Sequence, residues 1–151
     1  MESKIPGVVI TPLRRIPDER GSIFHIMKCT EPEYEKFGEV YLSNAYPGVI
    51  KGWHLHTLQT QNYVVIRGMI KLVLIDKREN APYSKIEEYF IGDLNYCRIK
   101  IPPGVANGYK CIGNEMCTVI NVSDLPHQPN EMIRIKPNDE EIGYSWDLIM
   151  Q

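Results

Sequence analysis

Nowhere in the 151 residues is there a run of about 18 apolar residues that could span a bilayer. The opening Met1-Glu2-Ser3-Lys4-Ile5-Pro6 also lacks the apolar stretch of a secretion signal. These absences give the expectation of a cytoplasmic protein with no membrane partner. Neither sign of charge dominates: 17 Lys and Arg stand against 19 Asp and Glu, a formal charge of -2. That balance leaves no electrostatic footprint for nucleic acid, so an anionic ligand would have to be met by a local cluster. The four cysteines, at 29, 97, 111 and 117, contain no Cys-x-x-Cys pair and no zinc-ribbon spacing, and they read as reduced, small core residues. No internal repeat, low-complexity tract or linker interrupts the chain, so one domain over 1–151 is expected, large enough to bury a core without disulfides.

What is present is mostly a period of two. Tyr96-Cys97-Arg98-Ile99-Lys100-Ile101 alternates, and Ile70-Lys71-Leu72-Val73-Leu74-Ile75 is a β-branched run suited to a mostly buried strand. Further strands are predicted at 22–28, 39–43, 61–66, 86–91 and 117–122, separated by Gly, Pro and Asn at short spacing. Arg67-Gly68 between two such runs reads as a tight hairpin turn with Gly68 at positive φ. One short helix is predicted over 31–37. The fold class is therefore all-β, a sandwich or barrel with few short helices. The polar C-terminal segment 135–151 carries Ile142, Tyr144 and Trp146, which need a surface to pack on, either the barrel or a second subunit.

His54 and His56, in Lys51-Gly52-Trp53-His54-Leu55-His56, are two apart. On a strand both point to one face with Cα atoms roughly 6.5 Å apart, while Trp53 and Leu55 point to the other. Two imidazoles on one concave face can ligate a metal, act as acid and base, or hold a ligand.

The spacing His54-x-His56, Gln61, Gly68, followed by Pro102-Pro103-Gly104-Val105-Ala106-Asn107, resembles the two cupin motifs. It implies a jelly-roll barrel. Gln61 and Asn107 stand where an acidic ligand and a histidine ligand would be, and neutral amides are weak donors for a transition metal. A longer resemblance runs through Asp18-Glu19-Arg20-Gly21, Lys51-Gly52-Trp53-His54, Gly68 with Asp76-x-Arg78 and Pro82, the 101–108 segment, and Asn138-Asp139-Glu140-Glu141-Ile142-Gly143-x-x-Trp146. In order and spacing these resemble the dTDP-4-dehydrorhamnose 3,5-epimerase family. That resemblance implies a cofactor-free homodimer acting on a nucleotide-linked 4-keto-6-deoxy sugar. Its ketone acidifies the neighbouring C–H bonds, so a base can remove a proton and an acid can return one. By the same resemblance His54 is the base, Arg20 and Lys51 contact the nucleotide diphosphate, and Asn44, Gln61 and Asn107 contact substrate.

The chain also departs from that family. Gln61 replaces its catalytic lysine, Ile120 falls where its tyrosine acid would be, Asn107 replaces a pocket histidine, and the aspartate that pairs with the base belongs to a C-terminal extension. Tyr46, Tyr63 and Tyr109 are alternative acids. His56 and the glutamine at 61 are similar to a pattern in nucleotide-sugar 3,4-ketoisomerases, which leaves His56 as partner of His54 or as the acid. Two other readings stay open: a metal-binding cupin using His54, His56 and Gln61, and a nucleotide-sugar binder without catalysis.

Overall fold

The computed structural model describes residues 2–81 and 86–149, so Pro82 of the family pattern lies outside the described residues. Twelve strands are formed: β1 (Val9–Pro12), β2 (Arg15–Asp18), β3 (Gly21–Phe24), β4 (Glu39–Ala45), β5 (Ile50–His56), β6 (Gln61–Arg67), β7 (Met69–Asp76), β8 (Glu87–Gly92), β9 (Cys97–Ile101), β10 (Val105–Ile112), β11 (Cys117–Ser123) and β12 (Met132–Arg134). They build two five-stranded antiparallel sheets, ordered β1-β9-β6-β11-β4 and β12-β5-β10-β7-β8, with β2-β3 as a separate hairpin. This is the all-β cupin jelly roll that the sequence led us to expect.

Three expectations are corrected. Among the described residues there is no helix, and the 31–37 segment is a single turn, closed by Tyr34 N donating to Glu31 O at 3.1 Å, followed by irregular chain. Its Glu31, Glu33 and Glu35 alternate at a period of two and reach the cations of β9. Arg98 Nη1 lies 2.5 Å from Glu31 and Nη2 lies 3.4 Å from Glu33, while Lys100 Nζ lies 2.7 Å from Glu35. A seven-residue helix has too few internal hydrogen bonds to compete with that anchoring. Gly68 does have a positive φ of 71°, but β6 and β7 lie in different sheets. The glycine therefore turns a corner between sheets rather than a hairpin, and Asp93 Oδ2 accepts from its N–H at 2.6 Å. The strand predicted over 22–28 stops at Phe24.

The main core fills the space between the sheets with residues such as Val65, Ile70, Leu72, Leu74, Ile91 and Ile99. A second cluster covers the outer face of β5, β10 and β7, where Trp53, Val73 and Ala106 meet Trp146, with Ile142 and Tyr144 packed against it. The C-terminal segment thus docks on its own barrel. The Trp53 and Trp146 rings lie 4.9 Å apart, and both indole N–H groups donate to Pro137 O, at 3.3 and 3.0 Å. Cys97, Cys111 and Cys117 are buried free thiols in the main cluster, whereas Cys29 is exposed and does not belong to the core.

Candidate active site

Toward one end of the barrel the inward positions change from Ile, Leu and Val to His, Gln, Asn and Tyr, and a cavity of about 440 Å³ opens there. Strand β5 supplies His54, His56 and Lys51 to it. By simple alternation Lys51 would face away from the histidines, on the Trp53 side. The register of β10 against β5 shifts at Asn107/Gly108, opposite Gly52, and this irregularity turns Lys51 inward. Gly52 has φ of 149°, and a Cβ there would sit 2.6 Å from Gly108 Cα, so only glycine fits both the conformation and the approach.

Gln61 on β6 lines the cavity, whereas its partner Asn107 on β10 is not among the lining residues; each is 1 % exposed, and Asn107 Nδ2 donates to Gln61 Oε1 at 2.8 Å. Gln61 Nε2 and Asn107 Oδ1 find no hydrogen-bond partner among the described residues. Whichever way the two amides are oriented, one bond between them leaves one donor group and one acceptor unsatisfied. Tyr41 and Ser43 of β4, Tyr63 of β6 and Tyr109 of β10 line the wall. Lys51 Nζ donates to Ser43 Oγ at 2.8 Å, and Ser43 Oγ lies 2.9 Å from the Tyr109 hydroxyl. Burial pushes the Tyr109 phenol up to about 12 and the Tyr63 phenol well above its ordinary value, so both stay protonated donors.

The two histidines differ in their surroundings. Burial first, then the charges of His56, Arg134 and Lys51, lower the His54 pKa to about 4, which keeps the ring neutral. His56 instead has its Nδ1 hydrogen-bonded to Glu131 Oε1. Burial works against ionisation of Glu131, but the bonds from His56, Leu58 N and Gln59 N outweigh it and hold the carboxyl below its usual range. Among the residues that the sequence did not assign to the site, Glu131 touches it through His56, while Arg134 and His127 line the cavity directly. Arg134 lies opposite His54 in the β12–β5 register. The three-residue strand β12 is too short for a periodicity signal, and the Glu131 pairing depends on a contact 75 positions away in sequence.

The other predicted residues lie elsewhere. Asn44 is on the opposite face of β4 from Tyr41 and Ser43, exposed, and accepts from Thr118 Oγ1 at 2.8 Å. Tyr46 is exposed beyond the end of β4. Arg20 sits at the tip of the β2–β3 hairpin, paired with Asp18 at 2.6 Å, away from the cavity of its own chain. On β11 the inward residues are Val119 and Asn121, and Ile120 is not among the lining. Asn121 Nδ2 donates to the Tyr41 hydroxyl at 3.2 Å. Among the described residues no three His, Cys, Asp or Glu side chains gather as a metal site. Of the donors that a metal reading would use, His56 Nδ1 is bonded to Glu131 and Gln61 Oε1 to Asn107, while His54 and His56 Nε2 are left to the cavity.

The family profile described as dTDP-4-dehydrorhamnose 3,5-epimerase matches residues 2–151. The chain belongs to that epimerase family. It is 35% identical over 147 residues to the spore coat polysaccharide biosynthesis protein SpsL of Bacillus subtilis, covering 95% of this chain and 97% of SpsL. It is 31% identical to the probable low-salt glycan biosynthesis epimerase Agl13 of Haloferax volcanii, covering 93% of this chain and 88% of Agl13. Among solved structures, a dTDP sugar isomerase from Desulfovibrio desulfuricans superposes with a TM-score of 0.91 at 34% identity, covering 94% of this chain and 92% of that one. As a member of the dTDP-4-dehydrorhamnose 3,5-epimerase family, the protein is a nucleotide-sugar epimerase by class. No helix among the described residues is long and apolar enough to cross a membrane.

Proposed function

We propose that the protein removes a proton next to the ketone of a nucleotide-linked 4-keto-6-deoxy sugar and returns one to the same carbon, in deoxysugar or polysaccharide synthesis. The observation that carries this reading is the convergence of two imidazoles and the Gln61 amide, half-satisfied by Asn107, on one cavity that Lys51 and Arg134 also line. Its volume, about 440 Å³, falls in the usual range for small-molecule sites. An imidazole suits the base, because the neutral ring has a lone pair ready at neutral pH. The free amide donor of the Gln61–Asn107 pair suits the oxygen on which negative charge develops. Lys51 and Arg134, neither paired with a carboxylate among the described residues, suit the diphosphate.

The catalytic set then differs from the family pattern at three positions, with Gln61, Asn107 and Ile120 where lysine, histidine and tyrosine would stand. Neutral phenols at Tyr63 and Tyr109 are the acids nearest to hand. The names of SpsL and Agl13 support a role in surface or glycan polysaccharide synthesis, and a cytoplasmic site is where nucleotide sugars would be met. A homodimer fits Arg20. The β2–β3 hairpin exposes Ile16 and Ile23, and the edge strand β4 exposes Val40 and Leu42. Covering these faces with a second copy would let each hairpin carry its Arg20 toward the other chain's diphosphate.

The test is incubation with dTDP-4-keto-6-deoxyglucose in deuterium oxide, read by mass spectrometry and NMR. Deuterium at C3 or C5 is the expected result. Sugar that binds but stays unlabelled would instead identify a binder without catalysis and overturn the proposal.

A further inference from the structure

We propose that His56, oriented by Glu131, is the base that takes the proton, and that Glu131 is its positioning residue. The inference rests on the proton abstraction argued above and assigns it to a particular atom. The family resemblance points to His54, but the structure gives the carboxylate to the other ring.

Glu131 is 4 % exposed and His56 6 %. One carboxylate oxygen of Glu131 is hydrogen-bonded to His56 Nδ1, and the other accepts from Leu58 N at 3.1 Å and Gln59 N at 3.2 Å. The backbone oxygen of Glu131 accepts from both Thr57 N and Thr57 Oγ1 at 2.9 Å. The 57–59 segment thus holds both the carboxylate and the backbone of Glu131, and strand β12, paired Met132 to His56, fixes the chain that follows. A buried ionised carboxylate on Nδ1 selects the tautomer with its proton there, so the lone pair of the neutral ring is on Nε2. The same carboxylate stabilises the imidazolium that forms when Nε2 accepts a proton.

Among the described residues His54 has no carboxylate partner; it lies among His56, Lys51 and Arg134, whose charges disfavour a proton on it. Its neutral ring is suited to hydrogen-bond the sugar, with His56 left as the ring that a carboxylate orients. In the step itself the C–H bond beside the ketone breaks and its electron pair becomes the enolate double bond. The carbonyl π pair moves onto O4, and the proton goes to His56 Nε2. A neutral phenol on the cavity wall then donates a proton to the carbon, and the phenolate and imidazolium exchange the balancing proton through solvent.

The experiment measures deuterium incorporation into dTDP-4-keto-6-deoxyglucose by wild type, His56→Gln, His54→Ala, Glu131→Gln and Glu131→Asp. His56→Gln should lose about 1,000-fold or more in kcat, the scale of general base catalysis. Its amide can still donate to Glu131, which keeps the fold intact. Glu131→Gln should lose about 100-fold in kcat with KM nearly unchanged, and Glu131→Asp should recover part of it. In ¹⁵N NMR the His56 ring of the wild type should show the Nδ1-protonated tautomer, and Glu131→Gln should lose that signature, which a purely structural role would not require. His54→Ala should slow exchange without abolishing it. Exchange by His56→Gln close to wild type, with none by His54→Ala, would overturn the assignment while leaving the epimerase reading in place. An inert wild type would overturn both.

Discussion

His54 carries a pH signature of its own. Its folded pKa is about 4, against the 6.5 of an unperturbed ring. Between those values the unfolded chain binds a proton that the folded chain refuses, so stability falls as pH falls through this window. One proton bounds the slope at about 1.4 kcal/mol per pH unit. Urea unfolding between pH 4.5 and 7 should show this limb, and His54→Gln should flatten it. Glu131 acts in a separate window: its pKa is lowered on folding, so its contribution is present above the ordinary carboxyl range and lost below it. Cys97 offers a contrast. It is buried in the main core, and burial raises its thiol to about 11, so it has no thiolate to offer near neutral pH. Cys97→Ala should leave deuterium exchange unchanged and cost roughly 1 kcal/mol of stability in urea melts. The sequence singled out His54, His56, Gln61 and Asn107 by type and spacing; the fold gathers the first three at one cavity, and Asn107 reaches it only through its bond to Gln61. The sequence could not reveal Glu131, because an acid between Asn130 and Met132 has no local feature to distinguish it from a solvated one.

Strand β5 shows how an irregularity decides a site. Alternation alone would send Lys51 outward with Trp53, and the register shift opposite Gly52 brings it onto the histidine face. Gly52→Ala must relieve a 2.6 Å approach to Gly108 Cα in a conformation that side chains disfavour. A loss of about 2 kcal/mol or more is expected, read as a lowered denaturation midpoint. Activity should fall further than stability explains, since Lys51 would lose its place beside Ser43. On the other face of the same strand, Trp146 closes the aromatic cluster over Trp53. Trp146→Ala should cost about 3 kcal/mol and raise hydrogen exchange across the C-terminal segment, with smaller effects in β6 and β9. The expectation that Ile142, Tyr144 and Trp146 need a surface follows from their size, whereas the choice of the barrel's own outer face follows from the groove that Gly108 leaves: a Cβ there would meet Trp146 at 3.1 Å and Trp53 at 3.2 Å.

For the molecule as a whole, the exposed apolar residues are unevenly placed. Ile23 is 62 % exposed on the hairpin and Leu42 is 61 % exposed on an edge strand, where the proposed second copy would cover them. If two copies meet there, Ile23→Glu with Leu42→Glu should halve the mass seen by light scattering. Arg20→Ala should leave the mass unchanged while raising KM for the nucleotide sugar. Sequence by itself determined that this chain is a jelly roll with a histidine-centred cavity, because alternation fixes which side chains share a face and the five separated motif blocks fix the family. Only the tertiary structure decided which histidine receives a carboxylate, that Lys51 turns inward, and that Asn44 and Arg20 lie outside the cavity of their own chain. Those outcomes depend on a β-bulge and on pairings between residues dozens of positions apart, which no local pattern along the chain records.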